Sequence, residues 1–458
     1  VGEVRILATC ALGLGFSYKG FQAGLALEPH VVACDAGSSD YGPFFLGSGR
    51  VQKPAAAIER EFATLLKGAR EVGAPFITGS VGGAGANAHV RETAALARRI
   101  ASENGLNFTL AEIEASVTPA FLRRKLARNE IAPAGPGPAL TERVIDKLAA
   151  AVAQMGVGPF TRALDLGADL ILAGRATDPA IFAGVPLQLG QAEAQAWHAG
   201  KLIDKGYLAT TRPHDGSPVL ARIDGDSFTL EPTREGSRCT VESVSSMMLY
   251  ENADPFLIPQ PEGVIDARAA HYEQIDERRV RVTGSRFEPA TQLTVKIEGA
   301  EFIGHRAMLI AGIRDPRLIA RIDGFLGEYR SMIARIARAQ GISSDEYKLG
   351  FRLYGRDAVL GAYEPMQTSP GHELGLLVDL IAERAEVCTA LAARLAPTGS
   401  RLGLEGNVVG AGNFAFPFSP ATVPLGPVYE WSLWHIAKLT ETEMEALFPV
   451  SISRIGPT

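Results

Sequence analysis

The sequence predicts an α/β protein, with a Rossmann-like or flavodoxin-like parallel-sheet domain over residues 1–210 and an α+β domain over residues 219–458. Two observations predict this. First, three loops rich in Gly, Ser and Asp each follow a short apolar run and precede a stretch of helical periodicity. They are CDAGSSDYGP (Cys34–Pro43), TGSVGGAGAN (Thr78–Asn87) and AGRATDP (Ala173–Pro179). Parallel sheets bind ligands on such loops, beyond the carboxyl ends of their strands, so the three predict one converging pocket. Second, the pattern changes at the turn-rich linker TRPHDGSP (Thr211–Pro218), after which period-two segments appear.

Taken in order, Val4–Ala8 is the first strand and Gly20–Leu27 a helix. The intervening GLGFSYKG run has the wrong spacing for a dinucleotide fingerprint, which argues against NAD. Asp35 ends the second strand. Ala55–Val72 is an amphipathic helix with Ile58, Phe62, Leu65 and Leu66 at helical spacing. Phe76-Ile77 is a third strand, Ala88–Glu103 a helix, Phe108–Ile113 a fourth strand and Pro119–Glu130 a helix. The prolines and glycines of Ala132–Pro138 make a loop. Thr141 caps a helix running to Met155, and Leu170–Leu172 is a fifth strand leading to a helix that starts at Pro179. Beyond the linker, Val264–Ala267, Arg279–Thr283, Thr294–Glu298 and Phe302–Ile303 read as strands. Asp315–Ala339 is a long helix, Lys348–Tyr354 and Leu374–Ile381 are strands, and Glu383–Leu395 is a helix. The tail Asn407–Trp434 is aromatic and nearly uncharged, so it is expected to pack on the body of the protein or on a partner chain.

Composition excludes several classes. A net charge of -6 and a pI near 5.9 argue against a nucleic-acid surface. Cys10, Cys34, Cys239 and Cys388 are too far apart for a C-x-x-C motif and read as reduced thiols. No signal peptide and no apolar run of about 18–20 residues is seen, which points to a cytoplasmic protein without a membrane span.

In the first loop, Asp35 and Asp40 are candidate acid/base or metal-binding carboxylates flanking Ser38 and Ser39, with turn chemistry as the other reading. In the second, Gly79, Ser80, Gly82, Gly83 and Gly85 leave backbone amides open for a phosphate or carboxylate, such as that of CoA, with a tight turn that needs glycine as the other reading, and Asn87 starts the next helix as either cap or ligand contact. The loop lacks the Lys-Ser/Thr of an ATP-binding P-loop. In the third, Arg175 is either an anion ligand or the structural partner of Asp178. Cys34 has no evident activator and reads as a buried thiol. His372 is the candidate catalytic histidine, and Arg286, Lys296 and Arg314 are candidate substrate clamps. The histidines show no zinc spacing, but Asp and Glu leave a divalent metal open.

The loop motifs, together with LGSG (Leu46–Gly49), GSRF (Gly284–Phe287), AGIRDP (Ala311–Pro316), GHELG (Gly371–Gly375) and GNFAFPFSP (Gly412–Pro420), resemble the acyclic terpene utilisation A family over nearly the whole chain. The last motif adds Asn413 to the anion-binding candidates. The resemblance implies a catabolic setting in which branched acids are processed as CoA thioesters, an oligomer, and a small separate partner subunit. The residues fit hydratase or lyase acid–base chemistry on a branched carboxylic acid or its CoA thioester, with no NAD or haem. The alternative is a non-catalytic subunit that binds an acyl-CoA or nucleotide.

Overall fold

The apolar runs Val4–Ala8, Val31–Asp35, Phe76–Gly79 and Leu170–Ala173 are buried almost end to end, as strands covered on both faces must be. In the computed structural model, which describes residues 2–366, 371–403 and 412–456, they form the centre of a ten-stranded sheet. Five strands are parallel, in the order Val4–Ala8, Val31–Asp35, Phe76–Gly79, Leu170–Ala173, Phe108–Ile113. The hairpin Val219–Asp224/Ser227–Pro232 continues the sheet antiparallel from the first strand, and Val450–Ile455 closes the other side on Phe108–Ile113.

This is an α/β architecture with mixed sheets, and it corrects the Rossmann or flavodoxin expectation. Both of those folds place strands on each side of the first one, in the orders 3-2-1-4-5-6 and 2-1-3-4-5. Here the parallel strands extend from one side of Val4–Ala8 only, because the antiparallel hairpin occupies its other edge.

The chain divides into two compact units, Val1–Glu301 with Trp431–Thr458, and Phe302–Glu430. Residues 219–301, grouped with the second domain by sequence, therefore lie in the first unit, drawn there by the pairing of Val219–Asp224 with Val4–Ala8. The chain passes between the units within the strands Thr294–Ile313 and Thr422–Lys438.

In the first unit, Thr141 does cap a helix, accepting from the Val144 amide, but that helix ends at Lys147. Leu148–Ala153 is a strand paired with Ile297–Glu301. Its LAAAVA sequence favours helix locally, and tertiary pairing overrides the propensity. In the second unit, His305–Ile313 pairs with Leu374–Ala382, which pairs with Tyr347–Tyr354. The helices Ile322–Ala339 and Ala385–Arg401 contribute Phe325, Tyr329, Leu391 and Leu395 to its core. The long helix expected from Asp315 is two, Pro316–Ala320 and Ile322–Ala339. Of the aromatic tail, residues 407–411 lie outside the described residues. Phe414 is buried against Phe325 and Tyr329, while Phe416 and Phe418 are partly exposed.

One buried carboxyl carries a pH prediction. Glu262 sits between the strands Leu257–Gln260 and Gly263–Asp266, and its Oε1 accepts from the Gly158 amide at 3.3 Å. Burial pushes this carboxyl up to about 7 from an ordinary 4.5. The folded state therefore holds the proton more tightly than the unfolded chain, so the contribution is full below the ordinary glutamate range and is lost as pH rises towards 7. Glu262→Gln should flatten that decline, which urea denaturation at about pH 5 and about pH 8 would read. An unchanged pH slope would contradict it.

Candidate active site

The three sequence loops follow three neighbouring strands, and backbone bonds join them. The Ala36 amide donates to Gly79 O at 2.9 Å, Ser80 to Gly174 O at 2.9 Å, and Arg175 to Gly85 O at 3.0 Å. Glycine permits this close approach. A Cβ on Gly85, whose φ is +66°, would lie 2.3 Å from the Arg175 backbone nitrogen, and one on Gly37 would lie 2.4 Å from Gly83 Cα.

Two amides of the second loop are bonded inside it. Gly83 N donates to Ser80 O at 3.1 Å and Gly85 N to Val81 O at 3.2 Å. Gly82 lines a separate cavity of about 410 Å³ walled by Ile58, Thr93 and Leu96. Asn87 opens the helix Asn87–Asn104, and its Oδ1 accepts from the Ala115 and Ser116 amides at 3.0 and 2.9 Å.

Arg175 is the hub of the three loops. It is only 4% exposed. Its guanidinium donates to Ser39 Oγ at 3.5 Å, Ser80 Oγ at 3.2 Å, Ala176 O at 3.3 Å and Glu298 Oε2 at 3.2 Å. The sequence left Arg175 open between an anion ligand and a structural pair with Asp178; the carboxylate it pairs with is Glu298, on the strand Thr294–Ile313. Glu298 also pairs with Lys296 at 2.9 Å, and Lys296 lies 3.6 Å above the Trp434 ring. Burial alone would raise the Glu298 carboxyl, but Arg175, Lys296 and Ser39 outweigh it and hold it down at about 2.

A second charge cluster lies alongside. Asp35 ends its strand, with Oδ1 accepting from Gly37 N at 3.1 Å. Asp178 opens the helix Asp178–Gln188, and Asp204 follows the helix Glu193–Ile203. Carboxylate oxygens of the three lie within 4.8 Å of one another, a set able to hold a divalent cation. The Lys205 ammonium is in the same cluster, 2.8 Å from both Asp204 oxygens and 3.2 Å from Asp35 Oδ2. Burial raises the Asp35 and Asp204 carboxyls, Asp178 raises them further, and Lys205 opposes both. The three aspartates in turn raise Lys205 against its own burial.

Two hollows border these clusters. One, of about 530 Å³, is lined by Gln154, Arg175, Asp178, Lys201, Lys296 and Trp434, with the buried Thr177 hydroxyl unpartnered at its wall. The other, of about 250 Å³, is lined by Asp35, Tyr41, Lys53, Lys205, Tyr207 and Tyr250. Ser38, Asp40 and Glu251 line both. Ser38 accepts from the Asp40 amide at 3.0 Å, which leaves the Asp40 side chain exposed at the common wall.

The structure thus gathers Asp35, Ser38, Ser39, Asp40, Ser80, Arg175 and Asp178. Arg286 is an exposed residue of the strand Arg286–Pro289 in the first unit. His372 and Arg314 are exposed in the second unit, and there Asn413 Nδ2 donates to Gly399 O and Leu402 O. Cys34 is fully buried, its thiol pushed up to about 12, in keeping with an inert structural thiol. Sequence reasoning did not find Asp204, Lys205, Lys53 or Glu298. The adjacent acid and base at Asp204-Lys205, just after the helix Glu193–Ile203, were the available signal.

Fold and site define an α/β protein with a charge-compensated carboxylate cluster at the strand ends of its sheet. The family model described as "Acyclic terpene utilisation family protein AtuA" matches residues 46–400, and the chain belongs to that family. Comparison with curated proteins and with solved structures gives no match. No described helix is long and apolar enough to cross a membrane.

Proposed function

We propose that the chain is a catabolic lyase or hydratase acting on a small branched carboxylic acid or its CoA thioester. The observation that carries this reading is the Asp35–Lys205–Asp204 cluster on a hollow that shares a wall with a second, cation-lined one. A carboxylate at the wall of a hollow, held in place by an ammonium, can take up and return a substrate proton. Asp35 is the proposed proton-transfer group, with Lys205 as its positioning partner. Asp40, exposed at the wall common to the two hollows, is the proposed second proton-transfer group. Lys296, Lys201 and Thr177 are the proposed ligands of the substrate carboxylate or thioester oxygen, in place of the Gly83 and Gly85 amides, which bond within their own loop.

The test is turnover of branched 2-enoyl-CoA thioesters and the free acids by the purified chain, with and without magnesium, followed by loss of enoyl absorbance and mass spectrometry. Wild type should convert at least one compound, and the isosteric Asp35→Asn should lose about 100-fold or more in rate. Tight binding of a CoA thioester without turnover would replace this reading with that of a carrier subunit.

A further inference from the structure

The smaller hollow contains two lysines held in opposite ways. Lys205 is clamped by Asp35 and Asp204. Lys53, just ahead of the helix Ala55–Glu71, bonds only backbone, donating to Leu12 O at 2.6 Å and Ala36 O at 3.5 Å. The neighbouring carboxylates are engaged elsewhere. Glu61 accepts from the Gly13 and Gly15 amides at 2.6 and 3.0 Å, and Asp35 is bonded to Gly37 and Lys205. Among the described residues, Lys53 has no ion-pair partner.

We propose that Lys53 is a nucleophilic amine that forms an imine with the carbonyl carbon of a ketone or aldehyde bound in this hollow. A neutral amine with both N–H groups on carbonyl oxygens keeps its lone pair for a third direction. Burial favours the neutral form, and the Lys205 ammonium adds to it, against the opposite pull of Asp35, Cys34 and Glu61. The lone pair attacks the carbonyl carbon, and the π electrons pass to oxygen, which takes one of the two amine protons. The nitrogen then gives up its remaining proton as the C–O bond breaks and water leaves. Amine and carbonyl thus yield imine and water, with no redox partner. Protonated, the imine accepts the electron pair of a breaking bond at the adjacent carbon. This inference rests on the site proposed above and narrows its chemistry to lyase cleavage of carbonyl compounds.

The experiment needs no turnover. The full chain is incubated with pyruvate, or separately with butanone, in sodium cyanoborohydride, and the adducts are mapped by mass spectrometry. Lys53 should be modified at least about tenfold faster than the exposed Lys19 and Lys348, as a partly desolvated nucleophilic amine would be, while Lys205 stays unmodified. Lys53→Arg should abolish the fast adduct with the fold intact by circular dichroism. Modification of Lys53 no faster than the exposed lysines would overturn the proposal. A fast Lys53 adduct together with failure of the enoyl-CoA assay would discard hydration and keep the imine.

Discussion

Lys205→Met should leave a protein whose stability deficit grows with pH. The substitution keeps the length of the side chain but removes the ammonium that lies 2.8 Å from Asp204 and 3.2 Å from Asp35, with Asp178 close by. Both buried carboxyls already stand above their ordinary range in the folded state. Without Lys205 they rise further and fold as neutral acids. The sign follows from proton linkage: the folded state binds more protons than the unfolded chain, so stability is retained below the ordinary aspartate range and lost as pH rises through the folded values. The deficit should be smallest below the ordinary aspartate range and grow with rising pH to about 3–5 kcal/mol, the cost of breaking a buried pair. Urea denaturation across that range measures it. A deficit independent of pH would show that Lys205 contributes packing alone. Added manganese or magnesium that restores stability would show the three aspartates accepting a divalent cation once the ammonium is gone.

Arg175→Met should destabilise the protein at all pH values above the ordinary glutamate range. Glu298, wholly buried, would keep Lys296 but lose its fork of guanidinium donors, and the Ser39 and Ser80 hydroxyls would lose theirs. The expected loss is about 3 kcal/mol, the lower end for a broken buried pair because one cation remains. Glu298 is held at about 2 in the wild type, so its contribution is present above the unfolded value and is lost as pH falls towards 2. In the variant Lys296 is the remaining cation on Glu298, so that acid-side loss should be smaller than in the wild type. Arg175→Lys restores charge without the planar fork and should recover only part of the stability. A loss below about 0.5 kcal/mol, the level of an ordinary surface substitution, would remove Arg175 from its place as hub.

Much of this site is legible in the linear chain. Glycine and serine loops behind apolar runs mark strand ends, and Asp35, Ser38, Arg175 and Asp178 do come together there. The sheet order is not legible, because apolar runs carry no record of which neighbour they pair with. Leu148–Ala153 shows the same limit, since its alanines suit a helix and only the partner strand decides otherwise. The donors of Gly83 and Gly85 looked free for an anion; whether an amide is spent inside its own turn depends on backbone angles that composition does not fix. Glu298 was hidden because a charge in a period-two strand ordinarily faces water, and only the Arg175 guanidinium from a distant loop makes its burial tolerable.

That one guanidinium serves Ser39, Ser80 and Glu298 has a consequence for how the region can vary. Removing one hydroxyl redistributes the donor to the others, so the cost of Ser39→Ala and Ser80→Ala together should differ from the sum of each alone. Segments separated by some forty and one hundred and thirty-six positions of chain are then thermodynamically one locus, and a drift at either loop is constrained by the present occupant of the other.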